Sequence, residues 1–110
     1  MEVHITARKV RLHSTVKEHA IEEINKLGNH FDGILRCNAT FSLEGSDNNS
    51  KIVDMSLHLY GHDIVATEKS ENFFKSIDQT VLKLEKQLSK IKSKVRGKNK
   101  KQVREFKRKF

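Results

Sequence analysis

The sequence holds one cysteine, Cys37, and no proline, and none of its apolar runs approaches the roughly 20 residues needed to cross a bilayer. A lone cysteine closes no internal disulfide, so nothing in the composition points to secretion. Met1-Glu2-Val3-His4-Ile5-Thr6 has neither the positive start nor the apolar core of a secretory signal. A cytoplasmic protein is therefore expected. The histidines are scattered. His58 and His62 are four apart, but they fall in a strand and a turn, where helical ligand spacing does not apply, so no metal site is expected. A glycine-rich phosphate loop, a nucleophile elbow and a paired-carboxylate arrangement are all missing. Neither catalysis, a cofactor nor a small-molecule substrate is expected. Aromatic residues are few: Phe41 belongs to an apolar strand face and Tyr60 to a turn. That leaves no pair on a sheet to stack unpaired bases.

What is present is positive charge, unevenly placed. The 110 residues suit one domain with a modest core, and the formal net charge is +8. Residues 1–82 carry 9 Lys/Arg against 12 Asp/Glu, residues 83–95 carry 5 against 1, and residues 96–110 carry 8 against 1. A mildly acidic body thus ends in a strongly basic quarter, a pattern that suits a polyanion such as RNA, DNA or an anionic membrane. The expected organisation is a folded domain over 1–95 and a basic tail over 96–110. In that tail only Val103, Phe106 and Phe110 are bulky and apolar.

Hydrophobic spacing gives the order of elements. Val3 and Ile5 alternate with polar residues as a short strand. Thr15 and Glu18 have capping-box spacing ahead of Val16, Ala20, Ile24, Leu27 and Phe31, one face of a helix that Asp32-Gly33 should end. Cys37, Ala39, Phe41 and Leu43, then Val53, Met55, Leu57 and Leu59, keep strict period two and predict two half-buried strands. Tyr60-Gly61-His62-Asp63 turns into a fourth strand near 64–68. Ser70 is placed as the cap of a last helix whose stripe is Phe73, Ile77, Val81, Leu84, Leu88, Ile91 and Val95, with Phe74 alongside. The fold class is α+β in the order β-α-β-β-β-α, a four-stranded sheet with both helices on one face.

The wheel of the last helix carries the functional reading. Lys75, Lys83, Lys86, Lys90 and Lys94 fall within roughly a 100° arc opposite the apolar stripe, a row about 28 Å long. The arc holds no acidic residue of the helix, so internal ion pairs are not expected along it. A polyphosphate would relieve the repulsion of lysines at i,i+4 and release counterions. Lysines act as point charges for phosphate, and arginine, which reads bases in bidentate fashion, is scarce here; shape and phosphate recognition of folded RNA is expected. Arg8, Lys9 and Arg11, at the first strand-to-helix junction, extend the basic surface if the fold brings them near the last helix.

Several strings resemble one family. Ile5-Thr6-Ala7-Arg8, the Lys26-Leu27 to Phe31-Asp32 helix ending, and Asp54 before the alternating third strand match it. So do Asn72-Phe73-Phe74-Lys75-Ser76-Ile77-Asp78, Lys83-Leu84-Glu85-Lys86-Gln87-Leu88 and Lys90-Ile91-Lys92-Ser93-Lys94. Over residues 2–95 the chain resembles the ribosome hibernation promoting factors, also called ribosome-associated inhibitors or sigma-54 modulation proteins. The resemblance implies a fold similar to double-stranded RNA-binding domains. It also implies binding to the small ribosomal subunit near the decoding centre, and silencing of translation in starved or stationary bacteria by blocking the mRNA and tRNA sites. Lys83, Lys86, Lys90 and Lys94 match the helix positions that the family sets against ribosomal RNA. The length leaves no room for the second, dimerising domain of long members, and the basic tail differs from the acidic tail of inhibitor-type short members. A short hibernation-promoting type is the form implied, and with it a ribosome-dimerising partner factor as a candidate partner. Two other roles stay open on the sequence: regulation of a sigma factor through protein contacts, and, less favoured because the tail lacks a sustained apolar face, attachment to an anionic membrane.

Overall fold

The computed structural model describes residues 1–45 and 50–98, excepting the side chains of 92–98. The elements run β1 (Glu2–Ala7), α1 (Ser14–His30), β2 (Ile34–Glu44), β3 (Ser50–Leu59), β4 (His62–Ser70) and α2 (Phe73–Lys98). The sheet order is β1-β2-β3-β4, with β1 parallel to β2 and the two following pairs antiparallel. The period-two residues keep the register that burial demands: Val3 faces Cys37, Ala39 faces Met55, and Met55 faces Ala66. Both helices cover the face that these residues line, as the sequence pattern predicts. The core joins Val16, Ala20, Ile24 and Leu27 of α1 to the sheet and to Phe73, Ile77, Val81, Leu84 and Leu88 of α2.

Local details depart from the sequence reading at two helix starts. Helix α1 begins at Ser14 with His13 as its extended N-cap, and no side chain caps it. The amides of Val16 and Lys17 both go to His13 O, so Thr15 already lies inside the helix and the Thr15–Glu18 box does not form. At α2 the cap is Asn72 rather than Ser70: Asn72 Oδ1 accepts from Lys75 N at 2.8 Å. Ser70 Oγ lies 2.7 Å from Ser76 Oγ and ties the end of β4 to the first turn of α2. Strand β4 is longer than expected, starting at His62. The connection from β3 is the two-residue turn Tyr60-Gly61, where Gly61 takes the positive φ of 76° that such a turn favours.

Helix α2 has a polar flank as well as an apolar stripe. Ser76 and Thr80 are fully buried. Ser76 Oγ donates to Lys51 O at 2.7 Å, and Thr80 Oγ1 donates to Ser76 O at 2.7 Å and lies 3.4 Å from Val53 O. Two turns further on, Gln87 Nε2 donates to Val65 O on edge strand β4 at 3.1 Å. These bonds fix the rotation of α2 on the sheet. The opposite flank meets α1, where His19 Nε2 and Asp78 Oδ1 are 2.8 Å apart and the His19 ring meets Phe74 edge-on at 5.3 Å. Pinned on both flanks, the helix has one face left for solvent.

Candidate nucleic-acid interface

That solvent face carries the lysines. Lys75, Lys83, Lys86 and Lys90 are all exposed, while Ile77, Val81, Leu84 and Leu88 point into the core. The arrangement follows from spacing alone: residues at i,i+3 and i,i+4 share a face, and the sheet takes the apolar one. Lys94 lies on the helical backbone but outside the residues whose side chains are described, as does Val95; of the tail expected over 96–110, residues 99–110 lie outside the described residues altogether.

Contrary to the expectation from the wheel, the row is not free of acidic partners. Lys83 Nζ is 2.6 Å from Glu68 Oε1 on β4, and Lys75 Nζ is 3.3 Å from Glu71 Oε1 just before the helix. A helical wheel compares residues of one helix and is blind to Glu68, which the sheet brings alongside. Lys83 sits toward the β4 flank, close to the side from which Gln87 reaches Val65. Glu71 lies one turn ahead of Lys75, outside the helix as counted. Its carboxyl is held below the usual carboxylate range by a hydrogen bond from its own backbone amide and then by Lys75. Lys86 and Lys90 have no ion-pair partner among the described residues. They are the positions where a phosphate would displace no protein carboxylate.

Arg8, Lys9 and Arg11 are exposed in the loop between β1 and α1. Arg8 N donates to Phe41 O at 2.8 Å, and the Phe41 ring meets Phe73 at 5.4 Å at the start of α2. Lys9 takes a positive φ of 54°, an uncommon turn for a residue with a side chain, as the chain leaves the sheet. The loop therefore sits at the end of the fold that carries Lys75. Lys90 lies fifteen residues further along, about 22 Å at helical rise. Sequence reasoning left this juxtaposition open because it depends on which end of the sheet α2 starts from.

Two features escaped the sequence reading. Leu82 is half exposed in the middle of the lysine face, and Phe74 is 41% exposed beside His19 instead of joining the core stripe. The wheel places Leu82 outward; nothing in the sequence, by contrast, signals the His19–Asp78 contact across 59 residues. Among the described residues no helix is long and apolar enough to cross a membrane. Cys37 is buried and its thiol is pushed up to about 12 by desolvation, which suits a small core residue rather than a nucleophile.

The chain is similar to known proteins in sequence and in fold. The family model described as Sigma 54 modulation protein / S30EA ribosomal protein matches residues 3–96. A ribosome hibernation promoting factor from Azotobacter vinelandii is 28% identical over 94 residues, covering 86% of this chain and 85% of that protein. Its counterpart in Escherichia coli K12 is 28% identical over 96 residues, covering 87% and 98%. Among solved structures, a ribosomal subunit interface protein from Coxiella burnetii superposes with a TM-score of 0.77 at 28% identity, covering 84% of this chain and 99% of that one. The N-terminal domain of Protein Y from Thermus thermophilus, 20% identical, shares the fold with a TM-score of 0.72, covering 83% and 99%.

Proposed function

Because this chain belongs to the Sigma 54 modulation protein / S30EA ribosomal protein family, we propose that it is a ribosome hibernation factor that binds the small ribosomal subunit near the decoding centre. On this reading it inhibits translation by occupying the places of mRNA and tRNA, an effect of bulk rather than of catalysis. The observation that carries the proposal is the exposed lysine row of α2, which is held outward by the core on one side and by Ser76, Thr80 and Gln87 on the sheet. Ribosomal RNA is the polyanion that this row suits: densely charged, folded, and recognised by shape and phosphate where no aromatic platform is offered.

Within the proposed interface Lys86 and Lys90 make the first phosphate contacts. Lys83 joins them by turning from Glu68, and Lys75 and the Arg8–Arg11 loop reach RNA at the other end of the face. Lys94 and the basic residues from 96 onward add positive charge, which raises the association rate through long-range attraction. The domain over 1–95 supplies the shape, and the tail over 96–110 supplies charge. The work is done in the cytoplasm, on the ribosome.

Binding of labelled tRNA to purified small subunits tests the steric mechanism. Saturating protein should reduce tRNA binding to background. Undiminished tRNA binding on subunits that demonstrably carry the protein would rule out occupancy of the decoding region.

A further inference from the structure

The junction between α1 and α2 brings together a ligand set that the RNA reading does not use. His19 and Glu23 lie one turn apart on one face of α1, and Asp78 comes from α2. One donor atom from each lies within 4.8 Å of the other two. His19 Nε2 and Asp78 Oδ1 are 2.8 Å apart, close to the roughly 3 Å that separates two adjacent ligands of one ion bound at about 2.0–2.1 Å. Phe74 holds the imidazole edge-on at 5.3 Å, so one ligand is already oriented. Glu23 also lies 3.4 Å from Lys26 Nζ, an i,i+3 contact along the surface of α1 that a small rotation of the carboxylate would give up. His19 and Glu23 are part-buried, and Asp78 is open to solvent on the side where water would complete a coordination sphere.

We infer that His19, Glu23 and Asp78 form a binding site for one divalent transition-metal ion of the zinc class, clamping α1 to α2. One imidazole nitrogen and two carboxylate oxygens suit zinc, cobalt, nickel or manganese. Magnesium and calcium prefer all-oxygen sets, so the imidazole discriminates against them. The cation takes the place of the direct His19–Asp78 contact, and it cancels the charge of two carboxylates, one of them three residues from Lys75. The site stands on its own geometry and not on the choice of RNA partner.

The test uses the full chain, stripped of metal with a chelator and titrated with zinc chloride in a phosphate-free buffer. Calorimetry should show one equivalent bound. Thermal unfolding should shift upward by several degrees with zinc and not with magnesium, because an ion that binds only the folded chain stabilises it. Glu23→Gln leaves the His19–Asp78 contact in place and should weaken zinc binding by roughly tenfold or more, as should Asp78→Asn; His19→Ala should abolish it. No heat and no thermal shift in the unaltered chain would overturn the proposal. So would zinc binding that persists unchanged in Glu23→Gln and His19→Ala, which would put the ion on other histidines.

Discussion

Replacing Glu68 with glutamine should tighten RNA binding, although Glu68 lies on the sheet and not on the lysine helix. The Glu68 carboxylate is 2.6 Å from Lys83 Nζ. A phosphate oxygen accepting from the far side of the same ammonium would lie about 5 Å from that carboxylate, given charge-assisted N–O distances of about 2.8 Å. Two unit negative charges at that separation repel by about 0.8 kcal/mol in water. Physiological salt, with a screening length of about 8 Å, reduces this to about 0.4 kcal/mol. Glu68→Gln removes the repulsion and frees Lys83, so affinity should rise about twofold at physiological salt and about fourfold at low salt, at about 1.4 kcal/mol per tenfold. Fluorescence anisotropy with a labelled small-subunit RNA hairpin, at two salt concentrations, measures it. If Glu68→Gln binds no more tightly while Lys86→Ala binds more weakly, the β4 flank of the helix lies outside the contact and Lys83 must be dropped from it.

Two further outcomes follow from the fold. Asn72→Ala removes the acceptor for Lys75 N at the start of α2 and should cost about 1 kcal/mol in urea unfolding; an unchanged midpoint would mean that the cap contributes nothing. Cys37, whose thiol rises from an ordinary 9.0 to about 12 in the folded chain, should resist thiol reagents at pH 8 until the chain unfolds, and rapid labelling of the native protein would contradict its burial. Between those values the unfolded chain holds fewer protons at this site. Its contribution to stability therefore falls as pH rises from about 9 toward 12, a decline that Cys37→Ala should lack in urea titrations.

How far the sequence carries depends on whether a feature is local. The period-two runs of Cys37–Leu43 and Val53–Leu59, and the four-three stripe from Phe73 to Leu88, were enough for the element order and for both helices on one face, because burial of one face enforces them. The exposure of Lys75, Lys83, Lys86 and Lys90 was legible for the same reason. Features that join distant segments were not. Glu68 reaches Lys83 across fifteen residues, and Asp78 reaches His19 across 59; neither leaves a trace in the spacing of either helix. The caps failed for a subtler reason. Ser70 and Thr15 both have capping chemistry, but Asn72 stands nearer the first helical turn, and His13 O already receives the amides of Val16 and Lys17. The family strings pointed to the ribosome where charge alone pointed only to a polyanion.

The most direct test of the central claim is co-sedimentation with purified small ribosomal subunits at moderate salt, comparing the unaltered chain with a Lys86→Glu, Lys90→Glu variant. Both substitutions fall on exposed positions without ion-pair partners among the described residues, so the variant should keep its helical circular dichroism and melting temperature. The account predicts that the unaltered chain pellets with the subunits, losing association as salt rises, and that the folded variant stays in the supernatant. A folded variant that pellets as well as the unaltered chain would remove the lysine face from the interface. Failure of the unaltered chain to pellet at all would contradict ribosome binding itself.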